Sequence, residues 1–174
     1  MKPSFGNGVL TVKKYLILIA ASIFLCNGMT ALAADESPIS IVSIAETEQV
    51  VMNTKGEKEV KRRPAAKVMP GTIVIFSNTC TNNGAESIED VIINNPVPEH
   101  MVYIEGSATG EGATSTFSVD NGQNYAAPEN LIIVEQDGST RPAVESDYTH
   151  IRWQLEGVLG SKESRVVEFR ARVK

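Results

Sequence analysis

From Ile39 to Val173 short runs rich in Val, Ile, Thr and aromatic residues alternate with clusters of Gly, Pro, Asn, Asp and Ser. That rhythm is the pattern of antiparallel strands joined by turns. The runs are Ile39 to Met52, Thr72 to Thr81, Ile88 to Asn94, Met101 to Ser107, Thr114 to Val119, Leu131 to Glu135, Tyr148 to Glu156 and Ser164 to Val173. No convincing amphipathic helical period interrupts them. Strands at such near-regular spacing predict an all-β fold, an immunoglobulin-like antiparallel β-sandwich of Greek-key type.

Alternation along a strand assigns its faces, because successive side chains point to opposite sides. In "DYTHIRWQLEG", Thr149, Ile151, Trp153 and Leu155 point one way, opposite Tyr148, His150, Arg152 and Gln154. Trp153 is the only tryptophan and is expected to pin the core. In "SRVVEFRARV", Val167, Phe169, Ala171 and Val173 share a face opposite Glu168, Arg170 and Arg172, so this strand is expected to be wet on one side.

The first 33 residues read differently. Lys13 and Lys14 precede an uncharged apolar run from Tyr15 to Leu25, and small residues end at Ala31-Leu32-Ala33. This is the composition of a secretory signal peptide, with cleavage expected between Ala33 and Ala34. The run is shorter than the ~20 residues that span a bilayer, and Cys26 follows Leu25 rather than a small residue, so a lipid anchor is not expected. The mature chain is therefore expected to be exported, to the periplasm, the cell surface or the medium, without a transmembrane segment.

Removing 33 of the 174 residues leaves 141, enough for one domain with a substantial core. Within it, residues 34–67 read as an N-terminal strand and a basic loop, and residues 68–174 as the remainder of the sandwich. The mature chain carries 13 basic and 21 acidic residues, a net charge of −8 that argues against nucleic acid or anionic lipid as a partner. Cys80 is its only cysteine, so no internal disulfide can form. Burial is the safest state for such a thiol in an oxidising compartment.

Two segments lie outside the strand pattern. "NTKGEKEVKRRPAAKVMPG" concentrates Lys55, Lys58, Lys61, Arg62, Arg63 and Lys67, and reads as a solvated hairpin or loop, or else as a patch that docks an acidic partner. "EGSATGEGATST" lacks the Lys-Ser/Thr pair and the helix of a phosphate loop, so it reads as a mobile hairpin tip.

Three blocks carry a resemblance: "MPGTIVIFSNTCTNNGAESIEDVIINNPVPEHMVYIEGSAT", "STFSVDNGQNY" and "THIRWQLEGVLGSKESRVVEFRARV". Their marks are Pro70-Gly71 before a strand ending at Asn82-Asn83-Gly84, the Pro-Val-Pro step at 96–98, Gly106-Ser107, Ser118-Val119-Asp120 and Ile151-Arg152-Trp153. Together they resemble the bacterial conserved repeat domain known as domain of unknown function eleven, over about residues 68–174. The resemblance implies an immunoglobulin-like sandwich in an exported or surface protein, a structural or interaction role, and no catalytic residues. The chain departs from that family at Phe76, where Tyr is common, at Asn78 and Cys80, where aliphatic residues are usual, and at Asn95, where Asp is frequent. A buried Asn78 needs partners or a bulge, since an unpaired polar group costs ~1–3 kcal/mol.

The chemistry-bearing residues form no catalytic pattern. In "STFSVDNGQNYAAP", Asp120, Asn121 and Asn124 are the candidate cation ligands. A calcium loop needs acids or amides at alternate positions and a distal glutamate, whereas Asn121-Gly122 is a strong hairpin signal. The turn is the preferred reading, with no metal or cofactor expected. His100 and His150 have no paired ligand spacing, no G-x-S-x-G marks a nucleophile, and Glu89 and Asp90 fall on opposite strand faces. Lys67 with Asn78 or Asn95 could in principle form an isopeptide bond. A non-enzymatic module that binds an envelope or surface protein is the leading expectation. The alternative is a carbohydrate- or small-ligand-binding module in which an exposed Tyr103 or Tyr125 stacks on a ring.

Overall fold

The computed structural model describes residues 37–174, which fall within one compact unit. The signal-peptide residues, with Cys26, Ala33 and Ala34, lie outside the described residues. Thirteen strands follow in chain order: β1 (Ile39–Met52), β2 (Lys58–Pro64), β3 (Ile73–Asn82), β4 (Ile88–Glu89), β5 (Ile92–Pro96), β6 (Met101–Tyr103), β7 (Thr109–Gly110), β8 (Ala113–Ser118), β9 (Ile132–Val134), β10 (Thr140–Pro142), β11 (His150–Leu155), β12 (Val158–Leu159) and β13 (Ser164–Val173). The described residues contain only two short 3-10 turns besides, Pro128–Asn130 and Glu145–Asp147.

All pairings are antiparallel, as the alternating sequence requires. The larger sheet runs β2-β1-β3-β13-β6, with β7 also on β13, and a second sheet runs β5-β11-β8. Their inner faces share one core that holds Cys80, Val167, Phe169 and Ala171 from the first sheet and Ile93, Phe117, Ile151, Trp153 and Leu155 from the second. Two packed antiparallel sheets with one core between them make an all-β sandwich. Trp153 and Phe169 meet across it with ring centroids 6.1 Å apart, and Phe169 stacks on Phe76 at 4.8 Å.

The alternation read on the two long strands holds: Ile151, Trp153, Val167, Phe169 and Ala171 are all fully buried. Cys80 is also fully buried, and that burial pushes its thiol pKa up. Asn82 closes the end of β3. Its Nδ2 donates to the carbonyls of Glu86 (2.7 Å) and Leu159 (3.0 Å), and its Oδ1 accepts from the Gly84 N–H (2.9 Å). The Asn-Asn-Gly step is thus a turn stapled through a buried amide.

Four expectations need correction. The run Ile88 to Asn94 is split, because Asp90 takes a left-handed φ of 53° between β4 and β5. The run from Met101 stops at Tyr103, because Ile104 to Ser107 form a turn with Gly106 at φ 68°. Part of the basic segment is the regular strand β2. Gly110 is not at a free tip: it pairs with Val167, and a Cβ there would sit 2.8 Å from a Val167 methyl.

Candidate functional site

The loop around Gly122 is a turn whose one acid is fully engaged. Asp120 Oδ1 accepts from Ser118 Oγ (2.7 Å) and from the N–H groups of Gln123 (3.1 Å) and Asn124 (2.9 Å), while Oδ2 accepts from Asn124 Nδ2 (2.7 Å). The Asn124 N–H, with Ser118 and the Asn124 amide, holds the Asp120 carboxyl well below the usual carboxylate range. Asn121 and Gly122 take φ of 60° and 81°, the left-handed conformations these residue types tolerate. Asp120 and Asn124 therefore bond each other, and the carboxylate is occupied by the loop itself.

The tyrosines do not present stacking faces. Tyr103 was expected to be exposed, but only 4% of it reaches solvent, because β6 lies against the core and its ring packs on Phe117 and Tyr148. Tyr125 is half-buried, with the Arg152 guanidinium 3.6 Å from its ring centroid. Of the possible cross-link residues, Lys67 is exposed, whereas Asn78 is buried and accepts from Ser43 Oγ at 2.6 Å. Asn95 Nδ2 donates to the Pro96 carbonyl. His100 is exposed and His150 half-buried.

The feature that stands apart is the arm made by β1 and β2. Half of β1, Ile39 to Glu46, pairs with β3, and the rest runs on to pair with β2 alone. The turn between them forms on Asn53, whose Oδ1 accepts from the N–H groups of Lys55 (2.9 Å) and Glu57 (3.0 Å), with Gly56 at φ 78°. All seven residues of β2 are exposed, and β2 is the free edge of the sheet. Register places Val50 opposite Val60, and Val50, Val60 and Met52 are 65%, 59% and 65% exposed.

A charged network ties the arm down. Arg62 on β2 donates twice to Glu168 on β13, at 2.5 and 3.1 Å, and Ser77 Oγ donates to the same carboxylate. Arg170 makes a second bidentate pair with Glu48, at 2.9 and 3.1 Å. Hydrogen bonds from Arg62 to Glu168 and from Arg170 to Glu48 lower both carboxyl pKa values, against a smaller opposing effect of burial. Beneath these groups Ile75, on the outward face of β3, is 1% exposed. Its cross-strand neighbours there are Arg170 and Glu46, long side chains whose stems can cover an aliphatic residue.

Comparison with protein-family models, with curated proteins and with solved structures finds no match to this chain. The geometry therefore carries the functional reading. Among the described residues no group of His, Cys, Asp and Glu is placed to hold a metal, and no helix is long and apolar enough to cross a membrane.

The arm was half legible beforehand. The basic run marked it, but strand β2 was not read as a strand, because "KEVKRRP" has no apolar alternation: both of its faces are wet, so nothing selects for one. The signal that could have found it is Asn53 to Gly56, a turn sequence placed directly after a long strand.

Proposed function

We propose that this chain is an exported, non-enzymatic interaction module of the bacterial envelope, with an immunoglobulin-like sandwich of the conserved-repeat type named above, which binds a protein partner through the edge of β2. One observation carries this reading. A fully exposed edge strand bearing Lys58, Lys61, Arg62 and Arg63 against the single acid Glu59 stands on a protein whose mature charge is −8.

An open edge offers unpaired N–H and C=O groups to an incoming strand, and charge then selects among incoming strands. Here the excess is cationic, so the favoured partner segment is extended and acidic. Val50, Met52 and Val60 lie beside the edge and add apolar contact for alternate side chains of that segment. The same charges discourage pairing between copies of this edge, since natural edges use lysine for that purpose.

A photo-crosslinking residue at Lys61, with a control at Asn94 on the β5 edge, tests this in the native envelope. Adducts to one protein at Lys61 that are absent at Asn94, and lost in Lys58→Glu/Arg63→Glu, are the expected result. Adducts at Asn94 alone, or none at Lys61, would overturn the reading.

A further inference from the structure

The side of β1 that carries β2 is only half covered. β2 ends at Pro64, opposite Glu46, so the first part of β1 has β3 on one side and no strand on the other among the described residues. Two hydrogen bonds show which backbone groups are left free there. The Pro38 carbonyl accepts from the Asn83 N–H at the β3 side (2.6 Å), and the Ala45 carbonyl accepts from the Ala65 N–H at the β2 side (2.9 Å). The register with β3 is unbroken between these points, and along a strand the N–H and C=O of successive residues turn alternately to one side and the other. Ile39, Ile41 and Ser43 therefore aim both backbone groups out of the sheet edge. Among the described residues these groups meet only Ser37 Oγ, 3.4 Å from the Ile39 nitrogen.

This edge lacks what protects β2. Ile39 to Ala45 reads "ISIVSIA", with no charge and no proline, and Ile41, Val42 and Ile44 are exposed. Natural edges are blunted by lysine, proline or a bulge. None of these devices is present here, whereas β2 carries Lys58, Lys61, Arg62, Arg63 and Pro64.

An uncharged edge selects by register and apolar contact, and a second copy of the same edge meets both conditions. A two-fold axis sets a strand antiparallel to its own copy and brings the same residues together. Hydrogen bonding then requires outward residues to face outward residues. With Ile41 opposite its counterpart, Ile39 faces Ser43 and Ser43 faces Ile39, so all three are used. One register toward the arm sets Ile39 against Ala45, whose carbonyl is already taken by Ala65. One register the other way sets Ser43 against Ser37, which lies outside the strand.

Charge agrees with this arrangement. The two arms extend in opposite directions along the joined sheet, which keeps the basic residues of one β2 away from those of the other. We propose that two copies of this chain pair antiparallel along residues 39–43 of β1, joining their larger sheets into one and leaving both β2 edges open. The pairing does not rest on the β2 reading and stands or falls separately from it. An interface of five paired residues falls at the small end, below ~1,200 Å², so the association is weak and reversible.

The register supplies a direct test. Residues in a hydrogen-bonded antiparallel pair have Cα atoms ~5.5 Å apart, within the ~4.4–6.8 Å that a disulfide spans. Cys80 is fully buried and stays out of the reaction. In a glutathione redox buffer, Ile41→Cys is expected to form a disulfide-linked dimer at least about tenfold faster than Val42→Cys, which lies off the axis on the other face, or Lys61→Cys on β2. Sedimentation equilibrium of the unsubstituted protein from ~10 µM to ~1 mM should show monomer and dimer in exchange, in ~0.5 M salt to screen repulsion between acidic copies. Ile41→Lys should weaken that association at least about tenfold, by setting two ammonium groups opposite one another, while Trp153 fluorescence stays unchanged. A monomer throughout the range, association that Ile41→Lys leaves intact, equal crosslinking of the three cysteine variants, or fastest crosslinking at Lys61 would overturn the proposal.

Discussion

Arg62 and Glu168 stand 106 residues apart in sequence and form a bidentate pair at 2.5 and 3.1 Å, so the last strand of the chain holds the second one in place. The pair is partly exposed, and pairs of this kind contribute ~0.2–1 kcal/mol each. That is too little to matter for the whole fold, yet it is enough to set how often the arm opens.

Removal of the clamp should therefore appear locally. Arg62→Ala is expected to speed hydrogen exchange of the β1–β2 amides about two- to fivefold, while exchange in β11 and β13 stays unchanged. Equal acceleration throughout the sandwich would show that the arm and the core open together.

Acid should release the arm before the core. Glu168 and Glu48 have lowered pKa values when folded, so their contribution is complete above the unfolded value of ~4.3 and is lost as pH falls through the folded values. Amide NMR across an acid titration is expected to show Val50, Met52 and Val60 moving below pH ~4, ahead of Trp153. Arg62→Ala should diminish this step, and its persistence unchanged would assign it to other groups.

Asn78 marks a place where the core carries a cost. Its Oδ1 accepts from Ser43, but its Nδ2 is buried with no partner. An unsatisfied donor costs ~1–3 kcal/mol, and leucine has the same number of side-chain heavy atoms, branched in the same way, with no donor. Ser43 is exposed and can turn to water. Asn78→Leu is expected to raise Tm by several degrees, read by thermal denaturation. A fall in Tm would show that the amide is satisfied in solution.

Legibility in the sequence followed strand alternation and turn signals. β1 and β13 were readable end to end, because β13 alternates between a dry and a wet face, and the β1 run is bounded by turn residues. β2 and β7 were not, since one is wet on both faces and the other is only two residues long. The Asp120 turn was legible because Asn-Gly tolerates positive φ locally. The packing of Tyr103, Phe117 and Tyr148 on one another was not, because they come from separate elements and only the fold brings them together. Tyr103 also misled, since a strand only three residues long gives too little alternation to say which face is buried.

Gly110 is a packing position. With Val167 Cγ1 at 2.8 Å and Ala113 Cβ at 3.1 Å from any added Cβ, alanine there would overpack the junction of β7, β8 and β13. Gly110→Ala is expected to cost ~1–3 kcal/mol in urea denaturation. Gly138, at a turn with nothing within 4 Å of an added Cβ but φ of 84°, serves as a control in which only backbone strain acts. A smaller loss at 110 than at 138 would refute the packing account.

The Asp120 turn separates a structural carboxylate from a metal ligand. Its two oxygens accept four hydrogen bonds within residues 118–124, and a cation could bind only by displacing some of them. Because the folded pKa is depressed, the turn is fully formed above the ordinary aspartate value of ~3.9 and loosens as pH falls toward the folded value. Asp120→Asn should therefore lower Tm at neutral pH, since a neutral amide accepts more weakly than a carboxylate. Millimolar calcium, which would fill even an extracellular module with Kd ~10⁻⁴–10⁻³ M, should leave the Tm of the unsubstituted protein unchanged. A calcium-dependent rise in Tm that vanishes in Asp120→Asn would mean that the carboxylate gives up its turn for an ion, and the loop would then have to be read as a binding site.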